Sequence, residues 1–311
     1  MKKTRLLLML ACSLFVVTAQ AKTYQVGVAL ANFDLNFDLN FVSILRSQMA
    51  RELAAQQLQG QFVDAKGDVA LQVQQVDDLI NQGVNAIILN PVDTQGVQPM
   101  IAAAKRAAIP LIFVNRKPEV PLSGATAYVG SDSALSGRLQ MEALAKKMNY
   151  RGNVAILMGA LSNEETRERT RAVEAVIAKH KDLKVVEKQT AKWQRNEAVD
   201  VVSGWLLNGV AIDAIAANND EMAIGAIMAL KQAKKSGVLV AGIDGTPDGL
   251  QFIKTGDLAV TIFQDAKAQA IGAVQVTRAL LDHAKTEPYN WVPYATVTRE
   301  NYPQFAQMNQ K

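Results

Sequence analysis

The strongest constraint on this chain is an alternation. Short runs of aliphatic and β-branched residues take turns with stretches of helical periodicity over nearly its whole length. Strand candidates lie at 24–30 (YQVGVAL), 61–64, 86–89 (AIIL), 111–114 (LIFV), around Val129, and at 154–158, 183–186, 214–217, 238–243 and 258–263. Between them apolar residues recur at helical spacing, as in 41–58 through Phe41, Ile44, Leu45, Met49 and Leu53. Asp68 is placed to cap a helix that Gly83 ends, and Asn90-Pro91 stops the AIIL run before a helix reaching Ala108. Further helices are expected at 134–148, 166–180, 197–207, 221–234, 247–254 and 264–283. Uninterrupted apolar strands joined by helices are the pattern of a parallel sheet covered on both faces.

A weak internal repeat divides the alternation. Residues 81–90 (NQGVNAIILN) resemble 208–218 (NGVAIDAIAAN), and 109–116 (IPLIFVNR) parallel 237–245 (GVLVAGIDG). Two similar α/β halves suit a chain of 311 residues better than one large sheet. The expected fold class is therefore α/β, with two doubly wound, Rossmann-like domains.

The first residues form a separate unit. A basic start (MKKTR), an apolar run at 6–17 and Ala19-Gln20-Ala21 make a signal peptide with cleavage expected after Ala21. The apolar run is too short to span a bilayer comfortably. The competing reading, lipidation at Cys12, is opposed by the position of that cysteine inside the apolar run and by the poor Met-Leu-Ala preceding it. Without residues 1–21 the balance is 30 bases against 29 acids, so the formal charge of +4 belongs mostly to the leader. A nearly neutral folded part argues against nucleic acid as a partner.

Common enzyme machinery is missing. Cys12 is the one cysteine, so the mature chain has no thiolate nucleophile, disulfide or cysteine metal site. His180 and His283 are the two histidines, and neither has a second histidine at ligand spacing. No G-x-S-x-G, no P-loop and no G-x-G-x-x-G after a strand occurs.

Open parallel sheets bind ligands beyond the carboxyl ends of their strands. There the sequence places Asn90, Asn115, Arg116 and Asp132 in the first half, and Asn218, Asn219, Asp220, Asp244, Gln264 and Asp265 in the second. Amides, carboxylates and an arginine suit vicinal hydroxyl groups, each of which both donates and accepts. Taken singly, Asn90 or Asp220 reads first as a turn or helix cap. Trp193 reads equally as a packing or a stacking aromatic, and 164–169 (EETRER) as a solvated helix start. Recurrence after equivalent strands in both halves favours a site.

The stretches FVNRKPE (113–119), AYVGSDSALSG (127–137), TAKWQ (190–194), ANNDEMAIGA (217–226), GIDGTPDG (242–249) and VPYATV (292–297) carry a family resemblance. Together they resemble the type I periplasmic solute-binding proteins of ABC importers, in the ribose and galactose family. KWQRNEAVD (192–200) and ANNDEMAIGA look like its inositol- and rhizopine-binding branch. The resemblance implies two domains joined by a three-segment hinge, with an N-terminal domain at 22–131 plus 265–291 and a C-terminal domain at 132–264 plus 292–311. It implies that Phe41 stacks on one face of the ligand, with Asn40 beside it, and Trp193 on the other. Asn90, Asn115, Arg116, Asn219 and Asp244 then bond hydroxyls, Arg169 clamps ring and hydroxyl oxygens, Glu165 falls near an acidic position, and Gln264 sits at the hinge.

Three departures from the family pattern bear on the ligand. Leu39 stands where the galactose branch has a carboxylate. FDLN occurs twice in tandem at 33–40, which keeps Asp34 and Asp38 as candidates. NYRGN at 149–153 replaces the acidic calcium loop of the galactose branch, so no structural metal is expected, and no cofactor. The expected function is to bind a small neutral polyol, myo-inositol or a related cyclitol first, a hexose or pentose such as galactose, glucose or ribose next. The partners implied are the polyol, a membrane permease and, for some family members, a chemoreceptor or sensor, around a periplasmic monomer. The alternatives of other classes are a periplasmic carbohydrate-active enzyme using two carboxylates and the sensing half of a repressor. The first lacks a motif that singles out its acids, and the leader and the want of a helix-turn-helix oppose the second.

Overall fold

Strands and helices alternate throughout the computed structural model, which describes residues 23–33 and 40–308. The leader, Asp34, Asp38 and Leu39 lie outside the described residues. The first series is β1 (Tyr24–Leu30), α1 (Phe41–Ala55), β2 (Leu58–Asp64), α2 (Val69–Asn81), β3 (Ala86–Asn90), α3 (Gln98–Arg106), β4 (Leu111–Val114) and β5 (Thr126–Gly130). The second is α4 (Ser133–Lys147), β6 (Gly152–Met158), α5 (Glu164–Ile177), β7 (Leu183–Thr190), α6 (Arg195–Leu207), β8 (Ala214–Ala217), α7 (Asp220–Gln232), β9 (Leu239–Asp244), α8 (Pro247–Thr255) and β10 (Val260–Gln264). The chain ends with α9 (Ala266–Leu281), β11 (Tyr289–Trp291), β12 (Tyr294–Val297) and a 3-10 turn (Tyr302–Gln304).

The strands form two six-stranded sheets, ordered β11-β5-β4-β3-β1-β2 and β12-β10-β9-β8-β6-β7. The wiring is the same in both, and the repeated sequence segments fall on equivalent strands, β3 with β8 and β4 with β9. The strand pairings are parallel except for β12, which runs antiparallel to β10. Central strands are apolar because helices cover both of their faces; β3 is buried at all five residues. Each such Val, Ile or Leu contributes roughly 1.5–3 kcal/mol by leaving water.

Polar residues at strand ends start the helices that follow. The side chains of Asn40, Asp68, Asn219, Thr246 and Asp265 each accept a backbone N–H in the first turn of α1, α2, α7, α8 and α9. Gly256, at φ 86°, ends α8 in the left-handed conformation.

The chain passes between the sheets three times: from β5 to α4, from β10 to α9, and from β11 to β12. Helix α9 follows a strand of the second sheet yet buries Ala266, Ala270, Ala273 and Val274 in the core formed with α1 and the first sheet. In each sheet the order reverses beside the first strand, β1 lying between β2 and β3, and β6 between β7 and β8. That reversal opens a crevice at the carboxyl ends of the strands.

Candidate ligand-binding cleft

One cavity of about 780 Å³ gathers residues from both sheets. The first half contributes Asn40 and Phe41 from the start of α1, and Asn115 and Arg116 from the loop after β4. The second contributes Glu165 and Arg169 from the first turns of α5, Trp193 after β7, Asn219 after β8, Asp244 at the end of β9 and Gln264 at the end of β10. Of the thirteen site candidates, ten therefore line the cavity, Asp34 and Asp38 lie outside the described residues, and Asn90 stands one step behind the wall. Asn90 is fully buried, and its amide donates to Val114 O at 3.2 Å and to Asn115 Oδ1 at 3.1 Å.

The charges in the cleft alternate. Arg116 Nε lies 3.9 Å from Glu165 Oε2, and Arg169 donates from one NH group to Asn218 O at 2.6 Å while lying 3.9 Å from Asp244 Oδ1. Arg169 also donates to Gln264 Oε1 at 2.9 Å and to the Tyr294 hydroxyl at 3.3 Å. Separations of 3.9 Å are too long for direct hydrogen bonds. A hydroxyl group set beside such a pair, on its cavity side, can donate to the carboxylate and accept from the guanidinium. Arg169 Nε and Asn90 Oδ1 are buried with no hydrogen-bond partner among the described residues. Burial raises the Glu165 carboxyl above its ordinary range, against the pull of Arg169 and Arg116. It raises Asp244 well above, again against Arg169 and with Asp220 and Glu165 adding to the rise. Burial also lowers the pKa of Arg116, partly offset by Glu165.

Backbone geometry sets the side chains. Asn115, Trp193 and Asp244 have φ values of 63°, 69° and 125°. A non-glycine residue held there marks a local constraint, and the Asp244 value lies outside the small left-handed helical well. The Trp193 indole lies against Gly159, where a Cβ would come within 2.2 Å of the ring, and donates from Nε1 to Asn163 Oδ1 at 2.9 Å. The Arg169 guanidinium carbon sits 5.7 Å from the centre of that ring.

Beside the cavity the two halves touch directly. Asn163 donates to Val92 O at 2.8 Å, and the Glu164 N–H donates to Thr94 Oγ1 at 2.9 Å. Lys117 pairs with Glu164 at 2.7 Å, and Arg167 pairs with Glu119. The expectation that 164–169 is a solvated helix start fails for Glu164, Glu165 and Arg169, which are buried in these contacts and in the cleft.

Further residues line the cavity that single-residue reasoning did not select, among them Asn32, Lys192, Gln194, Arg195, Asn196 and Glu221. Arg195 makes two bonds to Glu221, at 2.9 and 3.1 Å, and one to Asp248 at 2.7 Å. The visible signal was proximity: Lys192 to Asn196 surround Trp193, and Glu221 follows Asn219 by two residues. Gly159 and Asn163 carried no signal, because their roles depend on where the indole lands. Among the described residues no group of three or more His, Cys, Asp or Glu is placed to hold a metal ion. No helix among them is long and apolar enough to cross a membrane.

Comparison with known proteins finds relatives over most of the chain. A family model described as a periplasmic binding protein domain matches residues 35–285. A Rhizobium meliloti protein named for rhizopine binding is 38% identical over 96% of this chain and 98% of its own length. A xylitol-binding protein of Mycolicibacterium smegmatis is 35% identical over 94% of this chain and 82% of its own. An ABC transporter solute-binding protein from Bacillus halodurans, solved with bound myo-inositol, is 40% identical with a TM-score of 0.87, covering 93% of this chain and 99% of that one.

Proposed function

We propose, from the premise that this chain belongs to the periplasmic binding protein domain family, that its cleft takes myo-inositol or a closely related cyclitol and hands it to the permease of an ABC importer. The chain is a solute-binding protein of the sugar and polyol transporter type. The observation that carries the finer reading is the pair of oppositely charged contacts facing one cavity, Arg116 with Glu165 and Arg169 with Asp244, each at 3.9 Å. Two cations and two anions balance, so the ligand is neutral. A ring with a hydroxyl on every carbon can set one hydroxyl beside each pair and present its faces to Phe41 and Trp193. The 40% identical structure holding myo-inositol supports the same choice.

Closure of the halves around the ligand excludes water and strengthens each of these bonds. In this reading the three passages of the chain between the sheets serve as the hinge, with the division taken at 131/132, 264/265 and 291/292. The protein acts as a periplasmic monomer after cleavage behind Ala21 and catalyses no reaction, since its acids are engaged in recognition. A hexose or pentose is the second reading, favoured by the same amide and arginine set.

Thermal unfolding and calorimetry of residues 22–311 against myo-inositol, scyllo-inositol, D-galactose and D-ribose test the assignment. A ligand at a hundred times its Kd stabilises by about 2.7 kcal/mol, a readable shift in Tm. The expected result is a shift with an inositol and none with galactose. A shift with galactose or ribose alone overturns the cyclitol choice. No binding of any of them, with no ligand released on denaturation, overturns the polyol reading as a whole.

A further inference from the structure

The geometry points to Asp220 as the positioning residue of the cleft: its buried carboxylate clamps the turn 244–246 and so fixes the direction of the Asp244 side chain. This rests on the reading above that Asp244 meets the ligand. Asp220 itself does not line the cavity and is fully buried. No lysine or arginine among the described residues lies within ion-pair distance of it, so its carboxylate has a use other than charge pairing.

That use is visible in its partners. Asp220 Oδ2 accepts the Thr246 N–H at 2.9 Å and the Thr246 hydroxyl at 3.3 Å. Its Oδ1 accepts the Thr261 hydroxyl at 2.6 Å, and Thr261 Oγ1 in turn accepts the Gly245 N–H at 3.3 Å. One carboxylate thus holds, directly or through one hydroxyl, the two residues that follow Asp244. Asp244 has φ 125° and Gly245 has φ 64°, a backbone course that a free chain would leave. The space for the carboxylate is made by two glycines. A Cβ at Gly242 would lie 2.3 Å from Oδ1, and one at Gly249 would lie 2.1 Å from Oδ2. Two glycines, two threonines and the first turn of α7 therefore form a socket for a carboxylate. What that socket governs is the Asp244 side of the contact with Arg169.

The test is a double-mutant cycle with Asp220→Asn, Asp244→Ala and the double variant, each measured for Tm and for the Kd of the tightest binder among myo-inositol, scyllo-inositol, D-galactose and D-ribose. Asparagine keeps the shape but sets an NH2 group against donors. The expected result is a loss of thirtyfold or more in Asp244→Ala, of about tenfold in Asp220→Asn, and no further loss in the double variant. A packing role alone lowers Tm in both backgrounds and leaves the affinity losses additive, which overturns the proposal. Wild-type affinity in Asp220→Asn, with binding lost in Asp244→Ala, overturns it and leaves the cleft assignment standing. Wild-type affinity in Asp244→Ala overturns the cleft assignment as well. Thr261→Val is the milder variant, removing one arm of the clamp, and it should weaken binding severalfold; unchanged affinity there counts against the clamp. In the ligand-free protein, amide exchange at Gly245 and Thr246 should quicken about tenfold in Asp220→Asn while β3 amides keep their rates. Unchanged exchange at those two residues overturns the clamp whatever the ligand.

Discussion

Single side chains in the cleft owe their position to residues that never meet a ligand. Trp193 is the clearest case, wedged on Gly159 and held by Asn163. Trp193→Ala should weaken polyol binding by about thirtyfold, some 2 kcal/mol, with Tm of the free protein nearly unchanged. Gly159→Ala should weaken binding comparably, because the new Cβ would sit 2.2 Å from the indole. Calorimetry on both variants decides whether the indole is a binding face; normal affinity in either removes it from that role. At this scale the sequence was informative where chemistry is written in the residue type. Asn, Asp and Arg beyond strand ends point to a polar cleft before any coordinates exist. It was mute where a role is spatial. Asn90 has the residue type and position of a ligand group, yet its amide spends its bonds on Val114 and Asn115. The cap and the ligand readings also proved compatible, since Asn40 and Asn219 cap α1 and α7 while lining the cavity.

Elements were legible in proportion to their burial. Strands covered on both faces announce themselves as apolar runs, and β3, β4 and β8 lie where that pattern puts them. Edge strands do not. β2 begins at Leu58 and β7 runs on to Thr190, both longer than the apolar signal, because polar residues suffice on a half-exposed edge. In β2 the start is also set by Gln57, whose φ of 56° turns the chain straight out of α1. β11 and β12, of three and four residues, have too few positions to show a period at all. Helix ends obey local chemistry and are open to local tests. Gly256 closes α8 at φ 86° and faces only the tip of Arg299. Gly256→Ala should therefore lower stability by about 1 kcal/mol through backbone strain, with ligand affinity unchanged. Chemical denaturation and calorimetry check the two halves of that statement; a change in affinity would mean that α8 reports to the cleft.

For the whole molecule, the buried acids set a pH dependence. Glu165, Asp220 and Asp244 are all raised chiefly by burial, Asp220 to about 7 from an ordinary 3.8. The native state thus keeps protons that the unfolded chain gives up. The stability that Asp220 contributes is full below the unfolded carboxyl range and is lost as pH rises through about 7. Ligand-free stability should fall between about pH 4 and 7, by at most about 1.4 kcal/mol per pH unit for Asp220. Urea midpoints across that range test it, and a rising midpoint would contradict a carboxyl raised by burial at Asp220. Closure has its own test. Arg167→Ala should enlarge the ligand-free radius seen by X-ray scattering and lower affinity about two- to fivefold, since its pairing with Glu119 joins the halves beside the cleft.

The three passages of the chain between the sheets also govern the order in which the molecule can be completed. Helix α9, which fills the core under α1, and β11, which closes the edge of the first sheet, come after the whole second sheet series. A nascent chain therefore cannot finish its first half while that half alone has been synthesised. One face of the earliest strands can be covered at once by α2 and α3, but the face that α9 shares with α1 waits for residues beyond 265. Maturation is a race between that delay and aggregation, and anything that holds the early segments apart until the final helix arrives sets the yield of native protein.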